Sequence, residues 1–530
     1  MRLRLSSSFL AKVAAAGGLV LLADRLFWAG EGIGSNLGIF ALAWALATLA
    51  LSPAAWRDRR SWIAAAGALL LTLPLLDSPG PIAFLLFGTC LATAVLLPRM
   101  TRFGHAGSWV LRLLLQGVVS LIGPWRDLIR LRKPFSRGLP RQRILPLLPL
   151  PLFGGVVFLA LFANANPVIG DALVALGTPR FEDATIGRML FWGVILTAVW
   201  TTLRPRRLRL VSNLPEATMP QALPGVTTGS VLLALLTFNA LFALQNGLDI
   251  AFLWSGAPLP AGVSLAEYAH RGAYPLIATA LLAGLFVLVA LRPGSETAKV
   301  PAIRRLVVLW VAQNVFLVAS SILRTIDYVE VYSLTELRIA ALLWMALVAL
   351  GLVLILWRML RGRSAAWLIN ANAGAALLVL AACTMVDFGA VSAAWNVRHA
   401  REIGGKGAGL DLCYLAWQGP SALRSLVALE LENDLDPGFA ERIAWVRHRV
   451  LTDTIERQRG GEWIRRNDRR LRQVAAMLAG RKLRASPGDG PAGRHCDGTP
   501  FTPEPAPALS ASPLPNRMPT PTPLTNEAVR

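Results

Sequence analysis

The sequence predicts an all-α protein: a polytopic transmembrane helix bundle of about 11 spans, followed by a small helical domain and a proline-rich tail. Two observations lead to this prediction. Of the 530 residues, 54% are hydrophobic and only 16% are charged, whereas an ordinary soluble domain carries about 25% charged residues. The apolar residues also fall into continuous blocks of about 15 to 24 residues, the length that an α-helix needs to cross a bilayer.

The charge distribution predicts how the bundle is oriented. The formal net charge is +22, which in a soluble protein would indicate a nucleic-acid partner. Here most lysines and arginines lie in short loops between apolar blocks, as the positive-inside rule describes for cytoplasmic loops. We therefore expect that the protein binds no nucleic acid and lies in the lipid bilayer of a bacterial cytoplasmic (inner) membrane. We also expect its N-terminus to be cytoplasmic. An odd number of spans would place the C-terminal region outside.

The spans follow from the apolar blocks, taken in order. The N-terminal segment is basic and then apolar, and it is interpreted as an uncleaved first span. The spans are expected at about residues 10–26, 33–51, 62–76, 81–97, 147–163, 189–203, 231–245, 274–291, 306–323, 337–360 and 367–386. One further apolar block, residues 109–122, is short, contains Arg112 and lies inside a strongly basic segment, so we expect an interfacial helix on the inner surface.

After the last span the chain becomes polar. The predicted domains are a transmembrane helix bundle at residues 1–386, a helical extramembrane domain at residues 387–484 and a disordered Pro-rich tail at residues 485–530. Cys413 and Cys496 lie in this polar part. They could pair in an oxidising compartment, but free thiols are expected.

The stretch with the densest polar side chains is residues 324–345, where a polar segment leads directly into an apolar helix. Ser333 and Glu336 have the S-x-x-E spacing of a capping box, which predicts that the helix begins there. Arg338 lies close to the positive end of the helix dipole, so we expect it to need an anionic partner. The candidates are Asp249, Glu267, Asp327 and Glu330.

Several polar groups are expected to converge on the outer face, and these are the candidate binding residues. They are Asp24, Arg25, Asp249, Glu267, Tyr268, Arg324, Asp327, Glu330, Tyr332, Glu336 and Arg338. Charges near a low-dielectric region are costly unless they are paired. One interpretation is a binding cleft for a polar or anionic headgroup, a sugar or an ion, and the other is a set of structural ion pairs that hold the loops on the bundle.

The sequence lacks the motifs of familiar catalysis. The five histidines are scattered, and no HExxH, CxxC, P-loop or GxSxG pattern is present. We therefore expect no metal and no cofactor, and a non-enzymatic role is favoured over an enzymatic one.

Several segments resemble a known family. They are LLADRLFW, FANANPVIGDAL, LDIAFLW with LAEYAHRGAYPLI, YSLTELR, and AAWNVRHARE followed by LDLCYLAWQGPSAL. Together they resemble the uncharacterised bacterial multi-pass membrane family known as domain of unknown function 4153/4173, over roughly residues 21–431. The resemblance implies a helical membrane fold, and it brings no established activity.

Three functional hypotheses remain open on the sequence. The first is a non-enzymatic envelope or scaffold protein with an external polar cleft, whose external domain meets an envelope partner. The second is a transporter or lipid handler. The third is a polytopic glycosyltransferase that uses a lipid-linked donor, with Asp24 or Glu31 as its base.

Overall fold

The computed structural model describes residues 7–28, 32–100, 104–121, 123–124, 126–127, 183–205, 227–255, 282, 286, 300–432, 435–490 and 493–501. These residues form helices and connecting turns, and within them there is no β-strand beyond one isolated bridge between Arg494 and Pro500. The predicted all-α class is therefore confirmed for the described part of the chain.

The first ten helices of the described residues form a bundle. They are α1 (Ser7–Ala23), α2 (Asn36–Ala50), α3 (Arg59–Asp77), α4 (Pro81–Leu96), α5 (Ala106–Leu121), α6 (Asp183–Leu203), α7 (Thr228–Asp249), α8 (Pro301–Tyr332), α9 (Glu336–Arg361) and α10 (Ala365–Met385). Short π-helical segments extend α1 through Asp24–Trp28 and α7 through Ile250–Trp254.

Six helical segments of the described residues are long and apolar enough to cross a membrane: α3, α4 extended to Arg99, α7 extended to Trp254, α8, α9 and α10. They coincide with the spans predicted at 62–76, 81–97, 231–245, 306–323, 337–360 and 367–386. Helices α1, α2 and α6 occupy the predicted spans 10–26, 33–51 and 189–203. The predicted span 147–163 lies outside the described residues, as does 274–291 apart from residues 282 and 286.

One core cluster joins the N-terminal helices with α6. Small residues let the helices approach closely, and a Cβ atom at Gly38 of α2 would lie only 2.4 Å from the backbone nitrogen of Leu76 of α3. The indole of Trp44 donates a 2.8 Å hydrogen bond to the Thr202 hydroxyl of α6. Close backbone contact and a buried polar bond together fix α2 against its neighbours, as is common between membrane helices.

A second cluster joins α7, α8 and α9. The amide of Asn239 donates to the carbonyl of Leu306 at 3.1 Å, and Asn246 donates to the carbonyl of Gln313 at 3.2 Å. The amide of Gln313 donates back to Asn239 at 2.8 Å. These contacts show that α7 and α8 run in parallel, and they agree with interhelical hydrogen bonding as the expected role of buried amides.

Helix α5 has both of its ends near the same end of the bundle. At its start, the backbone nitrogen of Ala106 donates to Asn370, in the second turn of α10, at 2.7 Å. Just beyond its C-terminus, Asp127 accepts a 3.1 Å hydrogen bond from the indole of Trp200 and lies 3.1 Å from Arg204. Trp200 and Arg204 lie at the last turn of α6. A helix that connects these two points lies across the bundle, the geometry expected of an interfacial helix.

The ends of the helices gather at two opposite ends of the bundle. We call one the basic end, formed by residues 51–59, 97–100, 104–106, 204–205, 300–305 and 361–365. We call the other the docking end, formed by residues 24–28, 32–35, 77–81, 249–255, 324–336 and 385–388. At the basic end, for example, Arg99 donates to the carbonyl of Pro205 at 2.8 Å.

Five further helices follow the bundle and form the C-terminal cluster (residues 388–432, 435–490 and 493–501). They are α11 (Phe388–His399), α12 (Leu412–Gln418), α13 (Leu423–Glu430), α14 (Pro437–Arg459) and α15 (Arg465–Met477). Leu415, Leu426 and Ile443 are fully buried in its core. Inside it, the Arg447 guanidinium donates two hydrogen bonds to the Glu430 carboxylate, at 2.8 and 3.1 Å.

The expectation of free thiols at Cys413 and Cys496 is wrong. The structure joins them in a disulfide, with Cα atoms 4.9 Å apart, a separation typical of such bonds. The two residues are 83 positions apart, so only the packing of the cluster brings them together. Cys90 and Cys383 are free, half-buried thiols within α4 and α10.

Contacts of the C-terminal cluster extend into the segment expected to be disordered. Asp489 accepts a 2.8 Å hydrogen bond from the indole of Trp445, and Asp497 lies 2.6 Å from Arg442. Residues 502–530 lie outside the described residues.

Candidate functional site

The turn between α8 and α9 is the centre of the candidate site. Ser333, which follows α8, has a φ of 69°, a backbone conformation that non-glycine residues seldom adopt. The next residue, Leu334, donates its backbone N–H to the Asn396 side chain at 2.7 Å, and its carbonyl accepts from the same side chain at 2.9 Å. Asn396 of α11 thus forms two hydrogen bonds with the backbone of Leu334, as a neighbouring β-strand would. These bonds fix the position of the turn that follows α8.

The predicted capping box at Ser333 is wrong. Helix α9 begins two residues later than that cap requires, because Thr335 is the N-cap and its hydroxyl accepts from the backbone N–H of Arg338 at 3.3 Å. Ser333 is instead held in the turn by the bonds of its neighbour Leu334 to Asn396. Ser333 and Thr335 have a similar propensity for the N-cap position, and the contact with Asn396 determines that Thr335 takes it.

Glu336 lies where the bundle meets the C-terminal cluster. Its backbone N–H, free of partners within α9, donates to the hydroxyl of Tyr414 at 2.9 Å. A Cβ atom at Gly389 would lie 2.8 Å from the Oε1 atom of Glu336 and 2.8 Å from Cβ of Ser421. Position 389 therefore favours glycine, because a side chain there would displace Ser421 from α11.

Arg338 has partners other than the expected carboxylate. Its Nη1 atom donates to the carbonyl of Tyr332 at 2.6 Å and also to the carbonyl of Ser333. Its guanidinium carbon lies 4.5 Å from the ring centroid of Tyr328, which stacks on Tyr332. The C-terminal carbonyls of α8 form the negative end of that helix dipole, so they provide the negative charge that Arg338 needs.

Asp249 and Arg324 form an ion pair inside the bundle. Asp249 is fully buried and Arg324 is 7% exposed, and the guanidinium donates directly to the carboxylate. Gln245 donates a second hydrogen bond to Asp249 at 3.0 Å. Both charges were expected in loops, but α7 and α8 continue past the apolar blocks and carry them into the packed region. The sequence thus identified both residues as candidates but not as partners of each other.

Asp24 is bound by α6. It accepts from Nε of Arg188 at 2.7 Å, from Nη2 of Arg188 at 2.5 Å and from the indole of Trp192 at 2.9 Å. Asp24 is buried and the adjacent Arg25 is exposed. A carboxylate with three donors is held in its ionised form and joins α1 to α6.

Three further candidate residues lie on the last turns of α8. Asp327 is half-buried, and Glu330 and Tyr332 are exposed on the last turns of α8. Glu267 and Tyr268 lie outside the described residues. The described residues contain no group of three or more His, Cys, Asp or Glu side chains that could hold a metal ion.

The C-terminal cluster is attached to the docking end at several loops. Asp77, the last residue of α3, lies 2.7 Å from Arg466 and 2.6 Å from Arg469 of α15. The loop before α2 contributes backbone contacts, since Ser35 donates to the carbonyl of Trp463 at 2.9 Å and its hydroxyl accepts from the N–H of Arg465 at 2.9 Å.

Asp387, between α10 and α11, forms an ion pair with Arg470. Burial lowers the pKa of the Arg470 guanidinium to about 10, and the charge of Asp77 opposes that shift. A guanidinium with this pKa stays charged at neutral pH, so the contact holds under ordinary conditions. Three arginines of α15 therefore bind two carboxylates at the ends of bundle helices.

A pocket of about 250 Å³ lies between the end of α8 and the C-terminal cluster. Its polar and aromatic lining consists of Glu330, Ser333, Trp395, Asn396, His399 and Lys406. His399 stacks on Trp395 with ring centroids 4.0 Å apart. A Cβ atom at Gly405 or Gly407 would lie 2.5 Å from the backbone of His399, so the glycine-rich loop can approach α11 closely. The pocket combines one carboxylate, one ammonium, an imidazole and an indole.

Sequence reasoning missed most of this arrangement. Asp77, Arg466 and Arg469 were not singled out, because charges in loops and on a polar helix are usually solvated. Two features of the sequence could have indicated the pocket. Trp395 and His399 have an i, i+4 spacing, which places their rings on one helix face, and a glycine-rich loop follows them.

The helices and the buried polar pairs define a multi-pass helical membrane protein. The chain belongs to the family described as domain of unknown function (DUF4153), whose family model matches residues 63–429. The match begins in α3 and ends in α13, so it includes the α8–α9 turn and part of the C-terminal cluster. No curated protein and no solved structure matches the chain.

Proposed function

We propose that the protein is a non-enzymatic envelope scaffold of the bacterial inner membrane, which presents the C-terminal cluster as a fixed platform outside the cell membrane. The observation that carries this proposal is the attachment of α15 to the bundle through Asp77 and Asp387. We assign residues 1–386 to the membrane bundle and residues 387–484 to the extramembrane domain. Residues 485–530 form a tail, whose first part contacts the C-terminal cluster through Asp489 and Asp497.

The order of the helices supports eleven crossings. The described helices that cross the bundle alternate between the basic end and the docking end. The chain lies at the basic end at Asp127 and at the docking end at Arg188, so it passes between the two ends in that interval. It lies at the docking end at Trp254, which donates to Ser320 at 3.1 Å, and at the basic end at Pro301. We propose one crossing in each interval, which would bring the total to eleven.

Two independent observations support an external docking end. Among the described residues, the basic end carries many arginines and few carboxylates, as expected on the cytoplasmic side. These arginines are Arg57, Arg59, Arg99, Arg204, Arg304, Arg305, Arg361 and Arg363. The disulfide between Cys413 and Cys496 lies in the C-terminal cluster, at the opposite end. Disulfides persist in the periplasm and are rare in the cytoplasm, so both observations favour the same orientation.

The surface of the platform offers an anchor for an envelope protein. Trp417 of α12 is 73% exposed, although it stacks beside Tyr414 with ring centroids 6.0 Å apart. Exposed tryptophans often dominate the binding energy of protein interfaces. We therefore assign the partner-binding face to the part of the cluster around α12.

The scaffold role is tested by photo-crosslinking in intact cells from a photoreactive residue at position 417. The matched control carries it at Trp463, which is 44% exposed in the same cluster but has its backbone bound to Ser35. A discrete protein adduct from position 417, absent from position 463 and from an Asp77→Arg variant, supports the scaffold. Adducts to lipid alone, or none, contradict it.

The pocket favours a second candidate, a handler of lipid headgroups or glycans. Its mixture of a carboxylate, a lysine and two aromatic rings suits a polar headgroup or a sugar. Lipid and glycan analysis of the purified protein separates the two candidates. Enrichment of one lipid or glycan that is lost in a Lys406→Ala and Trp395→Ala double variant supports the handler.

The glycosyltransferase hypothesis is less well supported. Asp24, one of the two suggested bases, accepts three hydrogen bonds from Arg188 and Trp192. A carboxylate stabilised in this way is a poor proton acceptor. Glu31, the other suggested base, lies outside the described residues.

A further inference from the structure

A second feature, separate from the proposed scaffold role, lies at the basic end. An open groove of about 530 Å³ runs between the first turns of α8 and the last turn of α9. It is lined by Pro301, Arg304, Arg305, Val308, Leu309, Ala312, Met359 and Leu360. The groove therefore has charged groups at its mouth and an apolar wall beyond them.

The order of these residues along α8 matches the depth profile of a lipid leaflet. Arg304, Val308 and Ala312 follow one another at i, i+4 and i+8, so they lie on one face of the helix. At about 1.5 Å per residue, Val308 lies about 6 Å and Ala312 about 12 Å deeper than Arg304. Half of a bilayer core is about 15 Å thick, so the groove extends through most of one leaflet.

The positive charges near the groove favour an anionic ligand. The described segments 300–312 and 352–365 contain five arginines and no carboxylate. Neither Arg304 nor Arg305 takes part in an ion pair among the described residues. Arg358 donates to the carbonyl of Arg363 at 3.3 Å, and Arg361 covers the ring of Trp357, so both are directed to other groups.

The apolar wall is open to the membrane. Leu309 is 52% exposed and Leu360 is 58% exposed, although they flank the groove from two different helices. Exposed leucines in a spanning segment face acyl chains, whereas a protein partner would need its own carboxylates to match the arginines. From the charge at the mouth and the apolar depth below it, we propose that this groove binds one anionic phospholipid, with its phosphate on Arg304 and Arg305 and an acyl chain along Val308 and Ala312.

Native mass spectrometry of the detergent-purified protein, titrated with phosphatidylglycerol or phosphatidylcholine, tests this site. The wild type is expected to retain one phosphatidylglycerol preferentially. An Arg304→Gln/Arg305→Gln variant is expected to bind it about 10- to 30-fold more weakly, from about 1 kcal/mol for each arginine near an anionic headgroup.

The matched control is an Arg59→Gln/Arg60→Gln variant, because these adjacent arginines also begin a bundle helix at the basic end and are exposed. Its affinity is expected to stay within about twofold of the wild type, since Asp58 lies beside the pair and accepts a hydrogen bond from the backbone N–H of Arg60. A third variant, Ala312→Trp, fills the exposed apolar end of the groove and leaves Arg304 and Arg305 unchanged. This variant is also expected to lose the bound lipid.

The outcomes decide the proposal in either direction. Loss of phosphatidylglycerol in both groove variants, with retention in the control, supports the site. Equal binding of phosphatidylglycerol and phosphatidylcholine by the wild type overturns it, and so does unchanged binding in both groove variants. An equal loss in the control variant would also overturn it, because it would show general attraction to a basic surface.

Discussion

The carboxylate of Asp77, at the end of α3, lies 2.7 Å from the Arg466 guanidinium of α15, a residue 389 positions later in the chain. Arg469 lies 2.6 Å from the other oxygen of the same carboxylate. Arg466 also donates to the carbonyl of Met385, at the end of α10, at 3.4 Å. One carboxylate and one arginine thereby connect α3, α10 and α15, and they form one of the links between the bundle and the C-terminal cluster.

Replacement of Asp77 by Asn should loosen this attachment. We expect the variant to lose about 1.5 to 3 kcal/mol of stability, because charge-assisted hydrogen bonds to the partly buried Arg466 and the exposed Arg469 are lost. Thermal unfolding in detergent checks this. Asp453→Asn is the control, because Asp453 pairs with Arg457 on the exposed surface of α14 and should cost below about 1 kcal/mol. Equal shifts for both variants would contradict a structural attachment at Asp77.

The buried pair of Asp249 and Arg324 should show strong coupling. Asp249→Asn or Arg324→Gln alone is expected to cost about 3 to 5 kcal/mol, because each removes one partner of a buried ion pair inside the bundle. The double variant should recover much of that loss. A double-mutant cycle by thermal unfolding measures the coupling, with Arg25→Gln as an exposed control from the docking end. Strict additivity of the two single effects would show that the pair does not act as a unit.

Arg338 should contribute through carbonyls and an aromatic ring. Arg338→Ala is expected to destabilise by about 1 to 3 kcal/mol, through the lost hydrogen bonds to Tyr332 and Ser333 and the lost contact with Tyr328. Arg361→Ala, which removes only an arginine over the Trp357 ring, should cost below about 1 kcal/mol. If the two variants unfold at the same temperature, the carbonyl contacts of Arg338 add nothing.

The disulfide should stabilise the C-terminal cluster. Cys413→Ser with Cys496→Ser is expected to lower its stability by about 2 to 5 kcal/mol, because the bond closes a long loop. Unfolding with and without a reductant checks this, and Cys383→Ser serves as the control for loss of a free thiol. A reductant that leaves the wild type unchanged would contradict the bond as a stabilising element.

The sequence predicted the spans better than the site, for a physical reason. Apolar blocks mark the part of a helix that faces lipid, so the positions of the bundle helices follow from hydropathy alone. Their ends do not, because α7 and α8 continue through Asp249 and Arg324, charges that hydropathy assigns to loops. Only pairing across two helices makes those charges tolerable inside, and pairing is not visible in a single sequence.

The site itself depended on contacts between distant segments. The local S-x-x-E pattern indicated Ser333 as the helix cap, yet Asn396 of α11 holds the turn and Thr335 becomes the cap. Cys413 and Cys496 could be listed as a pair, but no spacing rule predicts a bond between them. The candidate residues included Tyr332, Glu336 and Arg338, which flank the α8–α9 turn. They did not include Asn396 and Tyr414 of the C-terminal cluster, which bind that segment.

The central claim is that the C-terminal cluster lies outside the cytoplasm, opposite the basic end. Alkaline phosphatase and a green fluorescent protein, each fused after Arg530 of the full chain, measure this directly, since the first works only outside the cytoplasm and the second fluoresces only inside it. The same reporters after Arg361, at the basic end, are the control and should give the opposite pattern. The account predicts an active phosphatase and no fluorescence after Arg530. A fluorescent fusion with an inactive phosphatase at that position would place the platform in the cytoplasm and contradict the account.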